Sequence, residues 1–264
     1  MASDPRTWIA SLRQSRDRLD KLVRSLTPEQ IRAQSYDTEW SIAQVLSHLG
    51  SGAEIALLTL PGALGEAEPV GREAFPPVWE LWNAKNPDEQ VADGLASDEK
   101  HVQTLEALTD VQLASIDMDF FGMMRLDAVG VVRMRLSEHA MHTWDVEVVG
   151  DPDATLQHGA VDLLIDGMPQ FVVRRAGRPL TEPFSVRITT TAPARDYLLT
   201  AEESVAIIDW PGENGPAGDV PHVTMPAEAL LRLFYGRLDP DHTPAAVSGD
   251  ADTLNKLRAM FPGL

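Results

Sequence analysis

Three side chains in this 264-residue sequence are suited to sharing one divalent metal ion. Glu138 and His142 lie four residues apart in "RMRLSEHAMHTWDVEVV" (133–149), and His48 stands far upstream in "EWSIAQVLSHLG". A spacing of four places two helical side chains on one face, one turn apart. That supplies two ligands, so a third must come from another helix. His48 borders the apolar face made by Ile42, Val45, Leu46 and Leu49, which makes it the candidate. Two imidazoles and a carboxylate are a donor set of open zinc sites, which leave a position for water or substrate, and nickel accepts the same donors. The plainer alternatives are a helix-surface charge pair for Glu138 and His142 and a hydrogen-bonded core histidine for His48.

The neighbours divide by position on the same helix. Asp145, three residues beyond His142, either accepts a hydrogen bond from that imidazole and fixes its tautomer or is a helix-surface charge. Arg135, three residues before Glu138, either orients that carboxylate or solvates the helix end. His139 points about 100° away from Glu138 and is assigned to a supporting or surface position. Met134, Met141 and Trp144 read as packing. His101, His158, His222 and His242 are taken as surface residues.

These side chains need helices to position them, and the first 150 residues supply four. Trp8, Leu12, Leu19, Leu22, Val23 and Leu26 recur at helical spacing. A second helix starts after Ser41, its expected N-cap. Residues 61–78 are rich in proline and glycine and read as a connection, followed by a third main helix in "KNPDEQVADGLASDEKHVQTLEAL". The segment "SIDMDFFGMMRLD" reads as extended. The fourth helix covers roughly residues 128–149 and stops at Gly150-Asp151-Pro152. Four such helices predict an antiparallel bundle over residues 1–150.

Beyond it the pattern changes. Residues 184–191, 203–210 and 222–225 alternate like strands, "PAEALLRLFYGR" reads as a helix opening on Pro226, and the end reads as a strand, a turn and a closing helix. The expected architecture is α+β overall, with residues 151–264 forming a small α+β domain of a short sheet and two helices.

Composition narrows the chemistry. With 22 Lys+Arg against 40 Asp+Glu, the net charge of −18 opposes binding to nucleic acid or an anionic membrane surface. No apolar run is long enough to span a bilayer and the N-terminus is not signal-like, so a cytoplasmic location is expected. The absence of cysteine removes disulfides, thiolate ligands and a cysteine nucleophile, and any thiol must be borrowed. No Gly-x-Ser-x-Gly elbow, phosphate-cradling glycine loop or His-Glu-x-x-His motif is present.

Two stretches together carry a family resemblance. "EWSIAQVLSHLG" resembles the start of the second helix in DinB-like metal-binding four-helix bundles. "RLSEHAMHTWDV" resembles the Arg-x-x-Glu-x-x-x-His-x-x-Asp helix of their mycothiol-dependent maleylpyruvate isomerase branch, and "LLRLFYGRLDP" and "VSGDADTLNKLRAMFPG" look like the small domain of that branch. The resemblance implies a divalent metal, usually zinc, on His48, Glu138 and His142, and mycothiol as the thiol. It also implies an arginine of the small domain, matching Arg237, that assists substrate or thiol binding. Arg237 otherwise reads as a helix-end arginine favoured by the helix dipole.

The expected activity is attack of a metal-activated thiol on a small electrophile, as an isomerase or a transferase. The alternatives are a hydrolase using metal-bound water and a non-enzymatic metal-binding stress protein. Residues 61–97, long and idiosyncratic beside the family pattern, fall where substrate pockets vary. The dicarboxylate substrate is therefore not carried over.

Overall fold

The computed structural model describes residues 4–120, 122–216 and 219–263. The chain forms two compact units, residues 1–154 and 155–264.

The first unit is helical, with four long helices: α1 (Pro5–Arg24), α3 (Ile42–Ala63), α5 (Pro87–Ala107) and α7 (Ala128–Glu147). Between them lie the shorter α2 (Pro28–Arg32), α4 (Phe75–Asn83) and α6 (Asp110–Ser115). Local chemistry sets the starts. Ser41 Oγ accepts from the Gln44 N–H and the Gln44 side chain returns a bond to the Ser41 N–H, a capping box that begins α3. Asn86 does the same with Glu89 ahead of α5, with Pro87 where its missing N–H costs nothing. Asp127 caps α7 through the Gly130 N–H.

Packing joins α3 to α5 and α7, and α1 to α5 and α7. Leu12 and Leu19 from α1, Leu46 and Leu49 from α3, Val102 and Leu105 from α5, and Val132 and Leu136 from α7 are all at most 1% exposed. Each such side chain contributes on the order of 2 kcal/mol by leaving water. Gly50 on α3 and Gly94 on α5 mark the closest approach. A Cβ on Gly94 would sit 2.6 Å from the Leu46 carbonyl oxygen, and one on Gly50 would sit 2.7 Å from the Gly94 Cα.

Two features differ from the sequence pattern. α3 continues through Pro61 to Ala63, because buried Leu60 and Ala63 hold its last turn. α4 begins inside the connection expected over residues 61–78, at Phe75, and runs on to Asn83; Pro76 and Pro77 occupy its first turn, which needs no N–H donors. The extended segment before α7 is a two-stranded antiparallel hairpin, β1 (Met118–Phe120) with β2 (Met124–Leu126), in register Met118 opposite Leu126.

The second unit is α+β. Its sheet runs β5 (Val205–Asp209), β4 (Arg195–Ala201), β3 (Phe184–Thr191), β6 (His222–Pro226), with β3 and β6 parallel and the other pairs antiparallel. β4 escapes an alternation search because Tyr197, Leu198 and Leu199 are consecutive and all buried in the middle of the sheet. Besides the two expected helices, α10 (Ala227–Phe234) and α11 (Ala251–Met260), two more precede the sheet, α8 (His158–Leu164) and α9 (Met168–Ala176). Each is under ten residues, too short for a strong periodic signal. Pro226 closes β6 rather than opening α10, and the strand expected near residue 247 is a single bridge, Thr224 to Ser248.

Candidate metal centre

His48 on α3 and Glu138 and His142 on α7 face one another inside the helical unit. Nε2 of His48 is 3.0 Å from Glu138 Oε2, and Nε2 of His142 is 3.7 Å from the same oxygen. The three donor atoms all lie within 4.8 Å of one another. Ligands at zinc distances of about 2.05 Å in a tetrahedron stand roughly 3.4 Å apart, so this donor set fits a divalent ion with small side-chain adjustments. The side chains of His48 and Glu138 are 36% and 41% exposed, whereas His142 is 10% exposed. His142 is therefore held from behind and the other two meet an opening.

What holds His142 is Asp145, one turn further along α7 and fully buried, whose Oδ2 lies 2.9 Å from His142 Nδ1. A bond at Nδ1 leaves Nε2 turned toward Glu138 as the coordinating nitrogen. Trp40, just ahead of α3, lies against both imidazoles, with ring centroids 4.8 Å from His48 and 5.8 Å from His142.

The electrostatics follow from this packing. Burial alone would raise Glu138, but the His142 and His48 imidazoles outweigh it and hold the carboxyl well below its usual range. Burial pushes His48 down, with Glu138 opposing and the neighbouring His142 reinforcing. Burial would lower His142 too, yet its hydrogen bonds to Asp145 and Glu138 carry it above the ordinary value. The centre thus sets one carboxylate between two imidazoles, which are donor types that a divalent cation takes.

Behind this centre lies a buried polar cluster. Arg135 places Nη2 on Asp98 Oδ1 and, at 2.6 Å, on the Leu49 carbonyl oxygen. These bonds go to α5 and α3, where the fully buried Asp98 carboxylate needs a cation to answer it. His139 is fully buried, with Nε2 2.9 Å from Asp98 Oδ2, which selects the supporting position over the surface one and keeps it apart from the three donors. His101, expected at the surface, is instead interior, at 2% exposure, because its face of α5 turns into the core. Its pKa is pushed down to about 3, chiefly by burial and further by Arg135. His158 and His222 are exposed.

The centre opens onto a cavity of about 580 Å³ within the helical unit. His48 and Glu138 line it, together with apolar side chains including Ile55, Ala56, Phe75, Leu126, Val131 and Met134. Asp98 escaped motif reading. The motif containing Trp40 and the extended segment before α7 did not by themselves place Trp40 against both imidazoles or the hairpin in the cavity wall, since only packing of distant segments makes them neighbours. Arg237 belongs to the second unit, half-buried just after α10, with Nη1 2.8 Å from the Tyr235 carbonyl oxygen.

Comparison with known proteins places this geometry in context. Residues 12–147 match the family model of the mycothiol maleylpyruvate isomerase N-terminal domain, and residues 158–256 match that family's C-terminal domain. The fold is similar to a crystal structure of the mycothiol-dependent maleylpyruvate isomerase, with a TM-score of 0.67, 14% identity, and coverage of 94% of this chain and 93% of that one. A structure of a histidine-to-alanine mutant of that enzyme matches equally. A protein of Geobacillus thermodenitrificans, provisionally named a metal-dependent hydrolase, is 35% identical over 68 residues, which span 26% of this chain and 38% of that protein.

Proposed function

Because the chain belongs to the mycothiol maleylpyruvate isomerase family, we propose that it is a metal-dependent enzyme that brings a small-molecule thiol, mycothiol, to a small electrophile. The observation that carries this reading is the convergence of His48, Glu138 and His142 at the end of an apolar cavity, in a chain with no cysteine of its own. A divalent ion on those residues, zinc first and nickel second, would lower the pKa of a coordinated thiol so that the thiolate forms near neutral pH.

The chain's own groups do the rest. Asp145 keeps His142 in one orientation, and the cavity wall excludes water from the electrophile. Arg237 is the candidate for holding an anionic group of the thiol or the substrate. The sulfur adds to a conjugated C=C bond, whose electron pair moves to the carbonyl oxygen. Rotation about the resulting single bond and expulsion of the thiolate then give the isomer. Protonation and release of the adduct would instead make the enzyme a transferase.

The test is a titration of zinc-loaded protein with mycothiol, glutathione and a simple thiol, beside zinc analysis of His142→Ala and Glu138→Ala. Saturable binding of mycothiol, and loss of zinc from both variants, is the expected result. Undiminished zinc in both would remove the site as assigned. Arg237→Gln is expected to raise KM for the thiol or the substrate without lowering zinc content. The hydrolase-named relative favours a second reading, hydrolysis by metal-bound water. Turnover in the complete absence of thiol would select it.

A further inference from the structure

The cavity beside the three donors has a chemistry of its own. Along α3 its wall is built by His48, Gly52, Ile55, Ala56, Thr59 and Ala63, a single helical stripe, and along α7 by Val131, Met134, Arg135 and Glu138. Phe75 and Leu126 close it from α4 and the hairpin. Its charged lining residues balance, with Arg72, Arg125 and Arg135 against Asp117, Asp119 and Glu138. Arg125 is already committed, its Nε 2.7 Å from Asp117 Oδ1. The side chains of this wall carry no surplus positive charge to draw in a dianion, so such attraction would rest on the metal ion alone.

One cation is built into the wall. Arg135 is 8% exposed and lines the cavity, with Nη2 fixed by Asp98 and the Leu49 carbonyl. Its Nη1 has no hydrogen-bond partner among the described residues, and Nε is buried without one. Gly52 makes room for this end of the guanidinium, since a Cβ there would stand 2.8 Å from Nη1. A nine-tenths-buried arginine with a free N–H beside a cavity needs an acceptor. Because Asp98 already neutralises its charge, a neutral carbonyl oxygen suits it better than a carboxylate.

We propose that this cavity selects an uncharged, largely apolar electrophile with a single carbonyl acceptor, which the Arg135 guanidinium receives while the apolar body lies between α3, α7 and the hairpin. This deepens the reading given under Proposed function and rests on the same site. The volume, about 580 Å³, suits a molecule of one or two rings or an equivalent chain. Arg135 would be a substrate-binding residue and Ala56 a determinant of substrate size.

The test uses zinc-loaded full-length protein without any thiol, so that its outcome is independent of whether mycothiol binds. The probe is Prodan, a neutral naphthalene bearing one ketone, whose emission reports both burial and hydrogen bonding at the carbonyl; 2-dimethylaminonaphthalene, which lacks the ketone, is the control. Prodan is expected to bind about tenfold tighter than the control. Ala56→Trp, which fills the cavity from α3, should weaken Prodan about tenfold or more at unchanged zinc content. Arg135→Lys should shrink the advantage of the ketone while leaving the control's affinity in place. Should that variant not fold, Ala56→Trp and the wild-type ketone preference decide alone. Maleate in large excess should not displace the probe. Displacement by maleate, equal affinity for probe and control, or Prodan binding unaffected by Ala56→Trp would each overturn the proposal.

Discussion

At the scale of single residues, the polar groups of α7 divide by what lies opposite them. Asp145 meets the centre through His142 Nδ1, so Asp145→Asn should weaken zinc affinity by about 10–100-fold, read by competition with a chelator. An unchanged affinity would show that the imidazole is oriented by packing alone. His101 gives a separate signature. Its pKa of about 3 in the folded protein lies below the value of about 6.5 of an unfolded histidine. The fold therefore favours the neutral ring. The stabilisation it brings is complete above about pH 6.5 and declines as pH falls, at up to about 1.4 kcal/mol per pH unit. Urea unfolding between pH 7.5 and 5 should show a shallower pH dependence for His101→Leu than for wild type. The comparison cancels His48 and His142, which are displaced in opposite directions and are common to both proteins. Asp98, also held low, acts only below its unfolded value of about 3.9 and stays outside that window.

At the scale of elements, the centre depends on how closely α3 lies against α5 and how α7 is set beside them. α7 carries buried Arg135, His139, His142 and Asp145, and each is answered from a neighbouring helix or from the next turn of α7. That arrangement tolerates little displacement. Gly94→Ala would push a methyl against the Leu46 backbone and should cost about 1–3 kcal/mol, measured by urea unfolding. Zinc affinity should fall with it, because Leu46 and His48 share one turn of α3. A Gly94→Ala protein with wild-type stability would mean that α3 and α5 separate freely.

At the scale of the whole molecule, all three donors, their supports and the cavity belong to residues 1–154, a unit with its own core around Leu19, Leu46 and Leu49. A fragment of residues 1–154 is therefore expected to fold and to bind one zinc, by circular dichroism and metal analysis. If Arg237, which resides in the second unit, has the role proposed for it, thiol-dependent turnover should be lost. Full turnover by the fragment would remove Arg237 from the reaction. Among the described residues no helix is long and apolar enough to cross a membrane.

The sequence by itself determined whatever covalent geometry fixes. The four-residue spacing of Glu138 and His142 puts them on one face of any helix, Ser41 and Gln44 cap α3 locally, and the change from helical to alternating periodicity marks the second unit. Tertiary structure decided the rest. It brought His48 to within 3.0 Å of a glutamate ninety residues away, buried His101 and His139, and joined Arg135 to Asp98. It also built the cavity from α3, α4, α7 and a hairpin with no shared motif. The physical reason is range. Helix periodicity and caps act over a few residues, whereas which charges are stripped of water, and which partner answers them, is set by packing between segments far apart in the chain.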